Sequence, residues 1–168
     1  MAKPLIFTDL ELAFLRELVK NKVPFMIVGL SAATLQGAPV VTQDVDLWFK
    51  SLAHPGIHKA LRKVDGTYVP PIMLNPPMFA GDAVDLFDIV LTLHGLKSFD
   101  WEYARALEVP LGRFKVKVLP LDRILASKKA ANREKDRLTI PILRDALLAT
   151  QSINRRTPRR SGTVTGDQ

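Results

Sequence analysis

Apolar residues recur at helical spacing at Leu10, Phe14, Leu15 and Leu18, behind a Thr8–Glu11 pair spaced as a capping box. This predicts a helix from about Asp9 to Asn21. The run "FMIV" after Pro24 has the length and continuous apolarity of a short buried strand. The small residues of "LSAATLQG" then suit a helix ending at Gly37. "PVVTQ" reads as a connecting loop. "DVDLWFK" alternates, which places Asp44 and Asp46 on one face of a second strand and Val45 and Leu47 on the other. "HPGIHKALRKV" predicts a helix. "YVPPIMLNPPMFAGD" carries four prolines and reads as loop or edge strand. "AVDLFDIVLTL" predicts a third strong strand, "SFDWEYARALE" a helix capped at Ser98, and "RFKVKVLP" an alternating strand. Two helices close the pattern, "LDRILASKKAAN" and "EKDRLTIPILRDALLATQ", with Pro141 placed to kink or split the second.

Helices thus alternate with strands, which predicts an α/β (α+β) domain: one small mixed sheet flanked by helices, with helices at its C-terminal end. The chain has 168 residues, room for one domain and little more. Residues 1–153 are expected to form it. From Asn154 to Gln168 the sequence is polar, basic and without apolar period, and is expected to be a disordered tail. That tail carries four Arg and one Asp, so +3 of the net +7 lies there.

Composition narrows the chemistry. There are no cysteines, which excludes disulfides, thiolate metal sites and Cys nucleophiles, and suits a reducing cytoplasm. No apolar run approaches the roughly 18 residues of a membrane span. The apolar stretch before Thr8 is only four residues, too short for a signal peptide. The mild positive charge suits a polyanionic partner without demanding one.

The aspartates raise the sharper question. A carboxylate in a buried strand costs several kcal/mol unless it is paired or bound to a cation. Two on one face also repel each other. A divalent cation answers both, and Mg²⁺ is suited by a few carboxylates completed with water and substrate phosphates. A third carboxylate on a neighbouring strand would come from Asp85 or Asp88. These are three apart, so on a regular strand only one faces the pair. Upstream, Gly29 allows close backbone approach, Ser31 offers a hydroxyl, and the helix start presents N–H groups to an anion. A phosphate site beside a metal site is an arrangement for phosphoryl or nucleotidyl transfer.

The stretches "FMIVGLSAATLQGAPVVTQDVDLWF", "NPPMFAGDAVDLFDIV" and "RILASKKAANREKDRLTIPIL" resemble, over about Phe25 to Leu148, the nucleotidyltransferase-fold (polymerase-beta-like) superfamily. Within it they are similar to a minimal bacterial and archaeal branch related to abortive-infection type II toxin nucleotidyltransferases. The resemblance implies that Asp44, Asp46 and Asp85 are the catalytic, metal-binding carboxylates, with Asp85 preferred to Asp88 because it falls in the family's slot after the prolines. It implies that Gly29, Ser31, Thr42, Lys128 and Arg133 meet the NTP phosphates, with Asp136 matching the family's C-terminal Asp. The implied cofactor is Mg²⁺ (two ions, or Mn²⁺), the substrate an NTP, and the acceptor an RNA, a protein or a small molecule. An antitoxin or partner subunit is a further implied partner, and no membrane is.

Four positions depart from the family pattern: Leu30 for the second Gly, Gln36 for a His, Val40 for an Arg and Thr139 for an Asp. Leu30 and Val40 motivate a second expectation, a degenerate copy that binds nucleotide or nucleic acid without catalysis. Lys128, Lys129, Arg133 and Lys135 taken alone read as a solvated helix face. His54, His58 and His94 show no ligand spacing and read as structural or surface. Trp48 reads as core or pocket wall, and Trp101 and Tyr103 as helix packing.

Overall fold

A computed structural model describes residues 7–156. Helix α1 (Asp9–Lys20) starts where the capping box predicts: the Glu11 amide donates to Thr8 Oγ1 at 3.2 Å, and the Thr8 amide to Glu11 Oε1 at 2.8 Å. Strand β1 (Phe25–Val28) is buried throughout and runs into α2 (Gly29–Leu35). Next come β2 (Val45–Phe49) and α3 (Pro55–Lys63). The proline-rich segment yields two short strands, β3 (Thr67–Val69) and β4 (Met78–Ala80), which pair with each other outside the main sheet. Then follow β5 (Phe87–Val90), α4 (Phe99–Arg105), β6 (Leu107–Leu111), β7 (Phe114–Val118), α5 (Leu121–Ala131) and α6 (Glu134–Arg156).

The main sheet has the order β5-β2-β1-β7-β6. It is mixed: β2–β5 and β1–β7 are parallel, β1–β2 and β6–β7 antiparallel. Helix α1 packs on α3 and β7; α2 packs on β1, β2 and α5; α6 lies along α5. Phe14, Phe49, Phe79 and Phe87 interlock edge-on or tilted in the core beside Leu15, Leu18, Met26 and Leu47. Such rings bury large apolar areas and gain from non-parallel contact. Among the described residues no helix is long and apolar enough to cross a membrane.

Four expectations change. The helix predicted through Glu108 stops at Arg105, and Leu107 opens β6, an edge strand in hairpin with β7 through Gly112 (φ +69°). Pro110 is tolerated there because an edge strand has amides with no ladder partner. The third strand begins at Phe87 rather than Ala83. The amides of Val84 and Asp85 both donate to the Gly81 carbonyl at 2.9 Å, and the Phe87 amide donates to the Val84 carbonyl at 2.9 Å, so residues 82–86 form a turn. Helix α6 continues through Pro141, which sits on an exposed flank. The boundary at Asn154 moves as well: Asn154, Arg155 and Arg156 are helical, and residues 157–168 of the expected tail lie outside the described residues.

Candidate active site

At the C-terminal end of β1 the chain turns at Gly29 with φ +68°, a conformation that side chains resist. Space makes a second demand there: a Cβ on Gly29 would lie 2.7 Å from Asp46 Oδ2. Asp46 is opposite Val28 in the antiparallel register, so its carboxylate lies directly over the turn. On the other side of β2, Asp46 is in register with Asp88 of β5. Asp44, in the approach to β2, is fixed by Thr42, whose Oγ1 donates to the Asp44 carbonyl at 2.8 Å. Gly29, Leu30, Thr42, Asp44, Asp46 and Asp88 together form one wall of a cleft of about 640 Å³.

The carboxylate of this wall on the third strand is Asp88, whereas the resemblance points to Asp85. Asp85 belongs to the turn before β5, and its Oδ1 accepts a hydrogen bond from the Gly81 amide at 3.0 Å. It caps its own turn and does not line the cleft. The later start of β5 is the physical reason, since it puts Asp88 where the alternation points at Asp46. The sequence does not separate the two: "VDL" around Asp85 and "FDI" around Asp88 each place one Asp between apolar neighbours. Ser31 is likewise not in the cleft. It is 1% exposed, and its hydroxyl donates to the Val28 carbonyl at 3.0 Å.

The opposite wall is cationic. Lys128 of α5, with Arg133, Lys135, Asp136 and Thr139 at the start of α6, lines it. Lys135, which the sequence offers as a solvated helix face, is in the cleft. Asp136 is 1% exposed and fully engaged. Lys128 Nζ is 3.2 Å from its Oδ1, Arg133 Nε donates to Oδ2 at 2.8 Å, and the Arg133 amide donates to Oδ2 at 3.1 Å. Burial opposes the charge of Asp136, but the hydrogen bonds from Arg133 and Lys128 outweigh it and hold the carboxyl at about 2. Asp46 goes the other way. Burial pushes its carboxyl above the usual range, the Asp88 charge adds to the push, and Lys128 offsets part of it. Asp88 is raised too, by desolvation and then by Asp44.

The departures from the family pattern have structural accounts. Gln36 bridges α2 to the β7–α5 junction: Nε2 donates to the Leu119 carbonyl at 2.8 Å, and Oε1 accepts from the Leu121 amide at 3.0 Å. It thereby caps the unpaired end of α5. Val40 is buried in the core, Thr139 Oγ1 donates to the Asp136 carbonyl at 3.1 Å, and Leu30 lines the cleft. Of the three histidines, the structure puts His94 at the cleft, on the loop after β5. Trp48 is core, and its Nε1 donates to the Leu91 carbonyl at 3.1 Å.

No family model matches this chain, and no curated protein matches it. Among solved structures it is similar to ANT(2")-Ia in complex with adenylyl-2"-tobramycin, a nucleotidyltransferase, with a TM-score of 0.52 and 12% identity over 84% of this chain and 90% of that one. The mixed five-stranded sheet with its flanking and C-terminal helices is therefore a nucleotidyltransferase fold.

That fold class implies a divalent cation. Among the described residues no three carboxylate or imidazole groups close into a metal cage. Mg²⁺ seldom needs one, being held by one or two carboxylates with phosphate oxygens and water. Asp46 is desolvated and has two more carboxylates near it, a donor set whose mutual repulsion a divalent cation would relieve. The residues present fit such an ion.

Proposed function

We propose that this chain is a metal-dependent nucleotidyltransferase that moves an NMP from an NTP to a hydroxyl acceptor. One observation carries the reading: Asp44, Asp46 and Asp88 face a wall of Lys128, Arg133 and Lys135 across a single cleft whose floor is the Gly29 turn. That pairing of acidic and basic walls suits a substrate of negative phosphates and metal charge. The fold likeness to ANT(2")-Ia supports it at the level of architecture.

Asp46 and Asp44 would hold Mg²⁺ or Mn²⁺, with Asp88 in place of Asp85 as the third carboxylate. When bound, the ion supplies charge neutralisation for the phosphates and lowers the pKa of a coordinated hydroxyl. Gly29 leaves room for the Asp46 carboxylate to lie against the turn. Lys128, Arg133 and Lys135 neutralise the β- and γ-phosphates, and Thr42 keeps Asp44 in place. Asp88, whose affinity for a proton is raised, accepts the proton of the acceptor hydroxyl. The hydroxyl oxygen bonds to the α-phosphorus, the bond from that phosphorus to the β-phosphate oxygen breaks, and pyrophosphate leaves. The resemblance to the abortive-infection branch adds a toxin-type setting, cytoplasmic and with an antitoxin partner, to this proposal.

The test is label transfer from each α-labelled NTP, with Mg²⁺ or Mn²⁺, into total RNA and protein, with Asp46→Asn alongside. Label with the native chain that disappears with the variant supports the reading. Silence from both, with an NTP-induced rise in the native melting temperature, replaces it with a nucleotide-binding module.

A further inference from the structure

Three cations converge on one indole outside the cleft. Arg105 Cζ lies 3.8 Å from the centre of the Trp101 ring, Lys97 Nζ 4.4 Å and Arg123 Cζ 5.3 Å. Arg105 is further steadied by donating from a guanidinium nitrogen to the Trp101 carbonyl at 3.0 Å. Arg123 is clamped on buried Glu102, with Nε donating to the two carboxylate oxygens at 2.9 and 3.0 Å. The other carboxylates of α4 and β6 are also spent: Asp100 pairs with Lys50 at 3.0 Å and Glu108 with Lys117 at 3.3 Å. Asp122, beside Arg123, is the one nearby carboxylate with no ion pair among the described residues. Lys97 and Arg105 have no acidic partner there either. Glu102 balances the charge of Arg123, so Lys97 and Arg105 are the two cations left uncompensated on this ring. A flat guanidinium held on an indole keeps its N–H edge aimed outward, a geometry suited to phosphodiester oxygens.

The position of the patch adds direction. Arg123 is one helical turn before Ser127 on α5, and Ser127 lines the cleft. Lys97 follows cleft-lining His94 by three residues. A chain whose terminal hydroxyl enters the cleft would therefore lay its next phosphates across Lys97 and Arg105, with Arg123 marking the path between them and the cleft.

We propose that the Lys97–Trp101–Arg105–Arg123 surface docks single-stranded nucleic acid, and that the strand so held is the acceptor of the cleft. The docking stands on the patch itself, and the acceptor role rests on the function proposed above. The surface repels a cationic small-molecule acceptor. Single strands are favoured because phosphates bound by fixed cations beside an aromatic edge need no groove geometry.

The experiment measures fluorescence anisotropy of end-labelled oligo(U) and oligo(dT) of equal length on the full chain, at about 50 and 200 mM salt. Binding that weakens with salt is expected. Lys97→Ala/Arg105→Ala is expected to reduce affinity about tenfold or more and to lower the salt slope by about one to two. A control pair on α3, Lys59→Ala/Arg62→Ala, is expected to change affinity less than twofold. Equal losses in both pairs, or none in the first, overturn the docking surface. Preference between oligo(U) and oligo(dT) identifies which strand is docked. Label transfer to the 3′ end of the bound strand supports the acceptor role. Transfer only to protein or small molecules overturns that role while leaving the proposed enzyme intact, and oligonucleotide binding without any transfer overturns the enzyme reading instead.

Discussion

Two aspartates a cleft's width apart sit in opposite states. Asp136 is almost completely buried and is held ionised by Lys128 and Arg133 at a carboxyl pKa of about 2. Asp46 is partly buried and is pushed toward protonation by burial, Asp88 and Asp44. The first carboxylate has its full complement of donors, so its charge works for the fold. The second is crowded by like charge, has the Gly29 turn beneath it, and is in a state that a bound cation would relieve. A satisfied carboxylate marks structure and an unsatisfied one marks a site under functional demand.

The largest expected effect is on transfer. Asp46→Asn and Asp88→Asn are each expected to lower the initial rate of label transfer by at least ~100-fold, roughly 2.7 kcal/mol of barrier. Asp85→Asn should stay within about twofold, because its carboxylate is spent on the Gly81 amide. If Asp85→Asn were the inactive variant and Asp88→Asn active, the assignment of the third carboxylate would reverse.

Asp136 should answer in stability. Asp136→Ala strands Lys128 and the Arg133 amide, and a loss of about 2 kcal/mol is expected, discounted because Arg133 is largely solvated. The melting temperature would fall by roughly 4–8 °C. The sign of the pH dependence follows from the depressed pKa. The unfolded chain takes up its proton near 3.8 and the folded chain only near 2, so the contribution is complete above the ordinary value and fades as pH falls toward 2. The gap between native and variant melting temperatures should narrow across that window. A constant gap would remove the ion pairs as its cause.

Much of this contrast was legible in the sequence, unevenly and for identifiable reasons. Asp44 and Asp46 stood out because strand alternation makes a charge in an apolar run conspicuous. Lys128, Arg133 and Asp136 came through the family resemblance, which matched their spacing but not their partnership. Asp88 stood beside Asp85 as a candidate and came second because Asp85 falls in the family's slot after the prolines, within a pattern, "AVDLFDIVLTL", that reads as strand from its first residue. Three hydrogen bonds within residues 81–87 turn its start aside, and such bonds leave no periodicity to read. Strand β6 was hidden similarly, since "ALE" after a capped helix continues it by propensity, while the hairpin with β7 is a tertiary preference. Ser31 looked like a phosphate contact until its hydroxyl was found bonded to Val28, three residues back. Which way a side chain turns on the first turn of a helix is set by packing that a motif does not encode.

A smaller effect should come from the turn beneath Asp46. Gly29→Ala places a methyl 2.7 Å from Asp46 Oδ2 at φ +68°, so about 1–2 kcal/mol of stability is expected to be lost by chemical denaturation. Two causes contribute, the backbone and the carboxylate, and Asp46→Ala separates them. If close approach matters, the double variant loses less than the sum of the single losses. Strict additivity would assign the whole cost to the backbone and leave Asp46 no claim on the space.

The smallest effect is the most telling in sign. Metal-free Asp46→Asn is expected to melt a few degrees higher than the native chain at neutral pH. In the fold the carboxyl's pKa is raised above its ordinary 3.8, so ionised Asp46 costs stability above its folded pKa. Below 3.8 the carboxyl is neutral in both folded and unfolded chains, and the cost is gone. The gain from Asn should therefore be present at pH 7 and shrink as pH falls through the raised pKa. Thermal melts in chelator across that range read it directly. Asp136→Asn under the same conditions should move the other way, less stable at neutral pH and converging with the native chain near pH 2. Two isosteric substitutions in one cleft would then shift stability with opposite signs, because one carboxylate has its cations in the fold and the other is left to meet one from outside.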